Sequence, residues 1–135
     1  MDDRRDELVA AARAVMRRSH SPYSGFSVGA ALLGADGRIY TGTNVENASF
    51  GLSICAERAA VFRAVAEGCT DFVACAVATA TDDPTPPCGA CRQVLLEFGP
   101  DMALYLAGRG EAIETFVLRD LLPRPFDTFE SGGGR

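Results

Sequence analysis

The sequence predicts a single α/β domain in which a mixed sheet of about five strands lies between helices on both faces. Three observations carry that expectation. The chain has 135 residues, close to the ~150 of one domain. Its apolar residues switch between helical spacing and short continuous runs, and the segments follow the order helix, hairpin, helix, strand, helix, strand. No repeat or internal linker divides them, so residues 1–130 read as one domain and the Ser-Gly-Gly-Gly-Arg stretch 131–135 as a flexible tail.

The elements follow in order. Leu8, Ala12, Val15 and Met16 recur at spacings of three and four, which predicts an amphipathic helix over 3–19. Residues 26–33 and 38–43 flank Gly34-Ala35-Asp36-Gly37, whose Asp-Gly tolerates positive φ and so predicts a hairpin. A helix fits 54–67 and stops at Gly68. Residues 72–80 are apolar on both faces and too short for most helices, as in a buried central strand. After the breaker-rich Asp82-Asp83-Pro84-Thr85-Pro86-Pro87, residues 88–98 read as a helix that Gly99-Pro100 ends. Residues 102–107 are strand-like, 115–118 suit a last short strand, and 118–122 a helical turn.

Composition removes several functions. All 13 cationic side chains are Arg, and without a lysine amine neither a Schiff base nor a Walker-type phosphate loop is available. The single His20 excludes a multi-imidazole metal site. A net charge of −5 argues against a nucleic-acid partner and for a small substrate. The N-terminus lacks the apolar core of a signal peptide, and the longest apolar run, 72–78, is far short of the ~20 residues that cross a bilayer. No membrane partner is expected, and the expected location is the cytoplasm. There the thiols of Cys55, Cys69, Cys75, Cys88 and Cys91 stay reduced, which favours metal binding or catalysis over disulfides.

Cys55 falls near the start of one predicted helix, and Cys88 and Cys91 fall in the first turn of another, three residues apart and on one face. Helix N-termini lower a thiol's pKa and favour the thiolate that binds metal. Three thiolates suit Zn²⁺ and leave one tetrahedral position for water, and Glu57 stands two residues from Cys55, within reach of that water. Taken alone, Cys88-Gly89-Ala90-Cys91 fits a redox pair as well as a metal site, and a closed zinc site with His20 is a further alternative; Cys55 and Glu57 favour the open metal site. Three thiolates on Zn²⁺ carry one net negative charge, so a cation should draw charge off sulfur. Arg58 is the first candidate and Arg92 the second. Cys69 and Cys75 read as buried hydrophobes.

Cys55-Ala56-Glu57 with Pro87-Cys88-Gly89-Ala90-Cys91 resembles the zinc-dependent nucleoside and nucleobase deaminases. Five blocks narrow this further: 21–30 (SPYSGFSVGA), 44–49 (NVENAS), 55–60 (CAERAA), 88–94 (CGACRQV) and 121–123 (LLP). They look like the small homotetrameric cytidine deaminases, in the family's order, over most of 21–126. The resemblance implies a three-layer α/β/α cytidine-deaminase-like fold. It also implies zinc-dependent hydrolytic deamination of cytidine and 2′-deoxycytidine, with release of ammonia, in pyrimidine salvage.

By the same resemblance Cys55, Cys88 and Cys91 hold one Zn²⁺ per subunit and Glu57 shuttles protons. Asn44 and Glu46 are similar to the ribose-binding pair, the Ala56 backbone meets the pyrimidine carbonyl, and Phe26 lines the base pocket. Phe126 is similar to the C-terminal aromatic that enters a neighbouring subunit's site, which implies a homotetramer with shared sites. Phe50 stands where many members carry Tyr. An aminopyrimidine antibiotic such as blasticidin S is the alternative substrate, and a polynucleotide substrate would need a basic channel that this acidic chain does not suggest.

Overall fold

A computed structural model of the chain describes residues 3–127. The 131–135 tail and the last residues of the expected 1–130 domain lie outside the described residues. Helix α1 spans Asp3–Met16, β1 Val28–Gly34, β2 Ile39–Thr43, α2 Ala56–Ala66, β3 Phe72–Thr79, α3 Gly89–Leu96, β4 Ala103–Ala107 and β5 Ile113–Val117. Two 3₁₀ turns cover Phe50–Leu52 and Leu118–Leu121, the first of which the sequence pattern did not predict. Among the described residues no helix is long and apolar enough to cross a membrane.

The five strands form one sheet in the order β2-β1-β3-β4-β5. β3 and β4 pair in parallel and the other neighbours are antiparallel, so the sheet is mixed as expected. The parallel pair follows from the α3 crossover, whereas the β1–β2 turn is tight and keeps its strands antiparallel. Gly37 sits at φ 85° in that turn, and Asp36 accepts from Arg38 N at 3.0 Å and Tyr40 OH at 2.7 Å.

Strand alternation sorts the core into two layers. Leu8 and Ala12 of α1 pack with Ala31, Leu33, Ala74 and Ala76 on one face. On the other, Ala60, Val61 and Leu95 of α2 and α3 pack with Leu32, Cys75, Val77 and Leu104. β3 therefore feeds both layers, which explains why residues 72–79 are apolar throughout. α2 comes unusually close to the sheet: a Cβ on Gly42 would collide with Ala60 N and Ala56 O. The absence of a side chain at Gly42 thus fixes how near the start of α2 lies to β2.

Candidate active site

The starts of α2 and α3 meet behind the sheet. Cys55 is the N-cap of α2 and Cys88 the N-cap of α3, both in extended conformation. Pro86 and Pro87 accordingly precede α3 rather than occupying its first turn, and Cys91 is its third residue. Cys88 Sγ accepts the Cys91 amide at 3.5 Å, a sulfur version of an ordinary cap.

The three sulfurs lie within 4.8 Å of one another, with Cys55–Cys88 at 3.9 Å and Cys88–Cys91 at 3.5 Å. A tetrahedral zinc with Zn–S bonds of ~2.3 Å spaces its sulfurs ~3.8 Å apart, close to the Cys55–Cys88 and Cys88–Cys91 separations, so the cluster suits that ion. Arg58 Nη2 donates to Cys55 Sγ at 3.3 Å, while its Nε is buried without a partner among the described residues. A hydrogen bond from Cys91 and this guanidinium bring the Cys55 thiol down to about 5. The same Cys55–Cys91 bond, together with burial, pushes Cys91 up. Arg92 plays a different part from the one the sequence suggested for it. Its Nε donates to Pro87 O at 2.9 Å and its Nη1 to Leu121 O at 2.8 Å, which ties α3 to the 118–121 turn.

Glu57 follows in the first turn of α2 and is only 4% exposed. Burial pushes its carboxyl pKa up, and the charge of Cys55 adds to the effect. Glu57, Cys55, Ala56 and Cys88 all border one pocket of about 290 Å³, near the ~300 Å³ lower end of small-molecule sites. Phe26, Val28, Val77 and Pro86 give it apolar walls, so a flat ring can lie between them with its polar edge toward Glu57.

Asn44 and Glu46 also line the pocket. Asn44 Oδ1 accepts from Ser19 Oγ at 2.6 Å and Val28 N at 2.9 Å, and its Nδ2 donates to Phe26 O at 2.8 Å. One Nδ2 hydrogen remains for a ligand. Glu46 Oε1 accepts the amides of Tyr23 and Ser24 at 3.0 and 3.1 Å, and Oε2 accepts Ser24 Oγ. These bonds hold its carboxyl below the usual range, hence ionised and fixed in place. Amide donor and carboxylate acceptor side by side match a sugar's hydroxyls.

Phe50 and Phe126 are not part of the lining. Phe50 packs edge-on against Tyr23 with centroids 5.9 Å apart and is 70% exposed. Phe126 is 63% exposed, and its backbone exchanges two hydrogen bonds with the Gln93 side chain, at 2.7 and 3.2 Å. His20 is exposed and pairs its backbone with Asn44 and Glu46 rather than joining the sulfurs. Sequence reasoning missed Thr79, Thr85 and Ser53 in the lining. For Thr79 a signal was present, because strand alternation puts it on the same face as Cys75 and Val77.

A mixed five-stranded sheet with a three-thiol cluster and a buried carboxyl beside a small pocket defines a thiolate-zinc hydrolase class. The chain belongs to one family of that class. The family model described as the cytidine and deoxycytidylate deaminase zinc-binding region matches residues 2–107. The chain is 47% identical over 123 residues to the cytidine deaminase of Halalkalibacterium halodurans, covering 90% of this chain and 93% of that protein. It is 44% identical over 122 residues to the cytidine deaminase of Sporosarcina psychrophila, covering 90% of each. The crystal structure of cytidine deaminase from Burkholderia pseudomallei superposes with a TM-score of 0.86 at 45% identity, over 90% of this chain and 98% of that one.

Proposed function

We propose that the protein is a zinc-dependent cytidine deaminase that converts cytidine and 2′-deoxycytidine to uridine and 2′-deoxyuridine. One observation supports this above the others: a buried carboxyl, Glu57, borders the same small pocket as Cys55 and Cys88 of the three-sulfur cluster. Cys55, Cys88 and Cys91 would hold the zinc. When bound, zinc supplies Lewis acidity, the means of drawing a nucleophile from water at neutral pH. Glu57 takes a proton from water and places it on ring N3, which makes C4 electrophilic. It then delivers water's second proton to the 4-amino nitrogen, which leaves as ammonia while C4 keeps the oxygen. Burial raises the Glu57 pKa, which favours the protonated carboxyl that the second transfer needs.

The base would stack along Phe26 with its carbonyl at the Ala56 backbone, and the sugar hydroxyls would meet Asn44 and Glu46. Arg58 would offset the negative charge of the metal-bound sulfurs. Residues 1–130 would form the deaminase domain. A homotetramer would cover the exposed Phe50 and bring Phe126 to a neighbouring pocket, and the enzyme would work in the cytoplasm on free nucleosides for pyrimidine salvage. A substrate panel tests the reading: zinc-loaded protein is expected to release ammonia from cytidine and deoxycytidine, and not from a cytosine-bearing oligonucleotide. Turnover of blasticidin S alone would assign the antibiotic instead, and no ammonia from any of these would reject deaminase function.

A further inference from the structure

Part of the pocket wall is the segment 80–87 between β3 and α3, which gives Thr85 and Pro86 to the lining and runs directly into Cys88. It contains no helix or strand, yet its bonds converge on one residue. Thr81 Oγ1 donates to Asp83 O at 2.5 Å and lies 2.7 Å from Thr79 Oγ1. A hydroxyl has one hydrogen and a carbonyl none, so Thr81 has committed its proton to Asp83. The bond to Thr79 must therefore be donated by Thr79. The hydroxyls form a one-way relay, Thr79 to Thr81 to Asp83, that starts on a 2% exposed lining residue and ends on the wall backbone.

A second loop backs the relay. Arg109 N donates to Thr81 O at 2.7 Å, and a Cβ on Gly108 would lie 2.5 Å from Thr81 O. Arg13 of α1 holds that loop through Gly108 O at 3.0 Å and Gly110 O at 2.7 Å. In the sheet Thr79 pairs with Val28, whose amide donates to Asn44 Oδ1 at 2.9 Å and whose carbonyl accepts Thr43 Oγ1 at 2.8 Å. Both walls of the pocket thus hang from one rung, the Asn44 side through Val28 and the 80–87 side through Thr79.

We infer that Thr79 and Thr81 are positioning residues whose hydroxyl relay fixes the 80–87 wall against the end of β3 and so sets how tightly the pocket holds its nucleoside. The inference rests on the deaminase reading for its substrate. Cys88 has its own anchors, the Cys91 amide and, through Pro87 O, Arg92. Loss of the relay should therefore loosen the wall without emptying the metal site, and substrate and transition state should lose contact equally.

The test compares Thr81→Val, Thr81→Ser and Thr79→Val by cytidine kinetics, zinc content, and hydrogen exchange at the amides of Asp82, Asp83 and Thr85. Thr81→Val is expected to raise KM about fivefold, the weight of one neutral hydrogen bond, with kcat within about twofold. Its zinc content should stay at the parent's, and the three amides should exchange faster. Thr81→Ser should restore KM and exchange, and Thr79→Val should fall between them because the Thr81–Asp83 bond survives. Unchanged KM and exchange in Thr81→Val, or a Ser variant as impaired as the Val, would overturn the relay. Exchange is read without turnover, so a parent protein that proved inactive on cytidine would fail the deaminase reading while the exchange data still judged the wall.

Discussion

The floor of the pocket and its mouth differ in how far the chain buries them. At the floor, Cys91 and Ala56 are fully buried and Glu57 is 4% exposed, and both helix starts reach the site through contacts within the chain. At the mouth, Phe26 is 41% exposed, and outside the lining Tyr23, whose amide binds Glu46, and Phe50, packed on Tyr23, are 53% and 70% exposed. Proton transfer tolerates little displacement, and the floor meets that need by hanging its groups on packed helices. The mouth is the wetter end, where aromatic faces stand exposed. One chain thus buries one end of the pocket in packed helices and leaves the other end exposed.

The largest expected effect falls on the floor. Glu57→Gln keeps the size of the side chain but cannot hold the transferred proton, so kcat for cytidine should drop by roughly 10²–10⁴-fold with zinc content unchanged. Steady-state kinetics beside metal analysis check both halves. Next is Arg58→Ala, which removes the cation at 3.3 Å from Cys55 Sγ. Zinc affinity should fall on the order of 10–100-fold, measured by competition with a chelator.

The same residue links the site to pH. The Cys55 thiol is held down to about 5 in the metal-free protein. It is thus ionised above that value and protonated below it, and the thiolate absorbance of metal-free protein should rise through pH 5. A titration should find that rise moved to higher pH in Arg58→Ala. In the holoprotein zinc holds the thiols deprotonated, so acid release of zinc should begin below this range.

A smaller effect is expected where the floor meets the sheet. Gly42→Ala puts a methyl group into the Ala56 and Ala60 backbone, which should cost about 1–3 kcal/mol and lower the Tm. Mildest is the mouth: Phe50→Ala should leave kcat unchanged and raise KM by less than about fivefold. A Phe50 effect as large as that of Glu57 would erase the distinction between the two regions.

What the sequence made legible follows the same division. The cysteine spacing, Glu57 and the helix starts are local features, and all of them are found together at the floor. The hairpin and the two-sided strand β3 were legible for the same reason, being written in turn chemistry and short-period patterning. The mouth depends on contacts far apart in the chain. The bridges His20–Val45 and Val45–Ile54 organise residues that carry no regular pattern, and the 3₁₀ turn at Phe50–Leu52 forms within that arrangement. Arg92 shows the limit clearly. It follows Cys91 of the sulfur cluster in sequence, yet its bonds to Pro87 O and Leu121 O are set by where α3 meets the 118–121 turn.

Zinc-edge X-ray absorption on purified active protein, with total zinc per chain, tests the central claim most directly. The expected spectrum shows one zinc per chain with three sulfurs at ~2.3 Å and a single lighter neighbour from solvent. Four protein ligands, or active protein without zinc and with Cys88 and Cys91 joined as a disulfide, would contradict it.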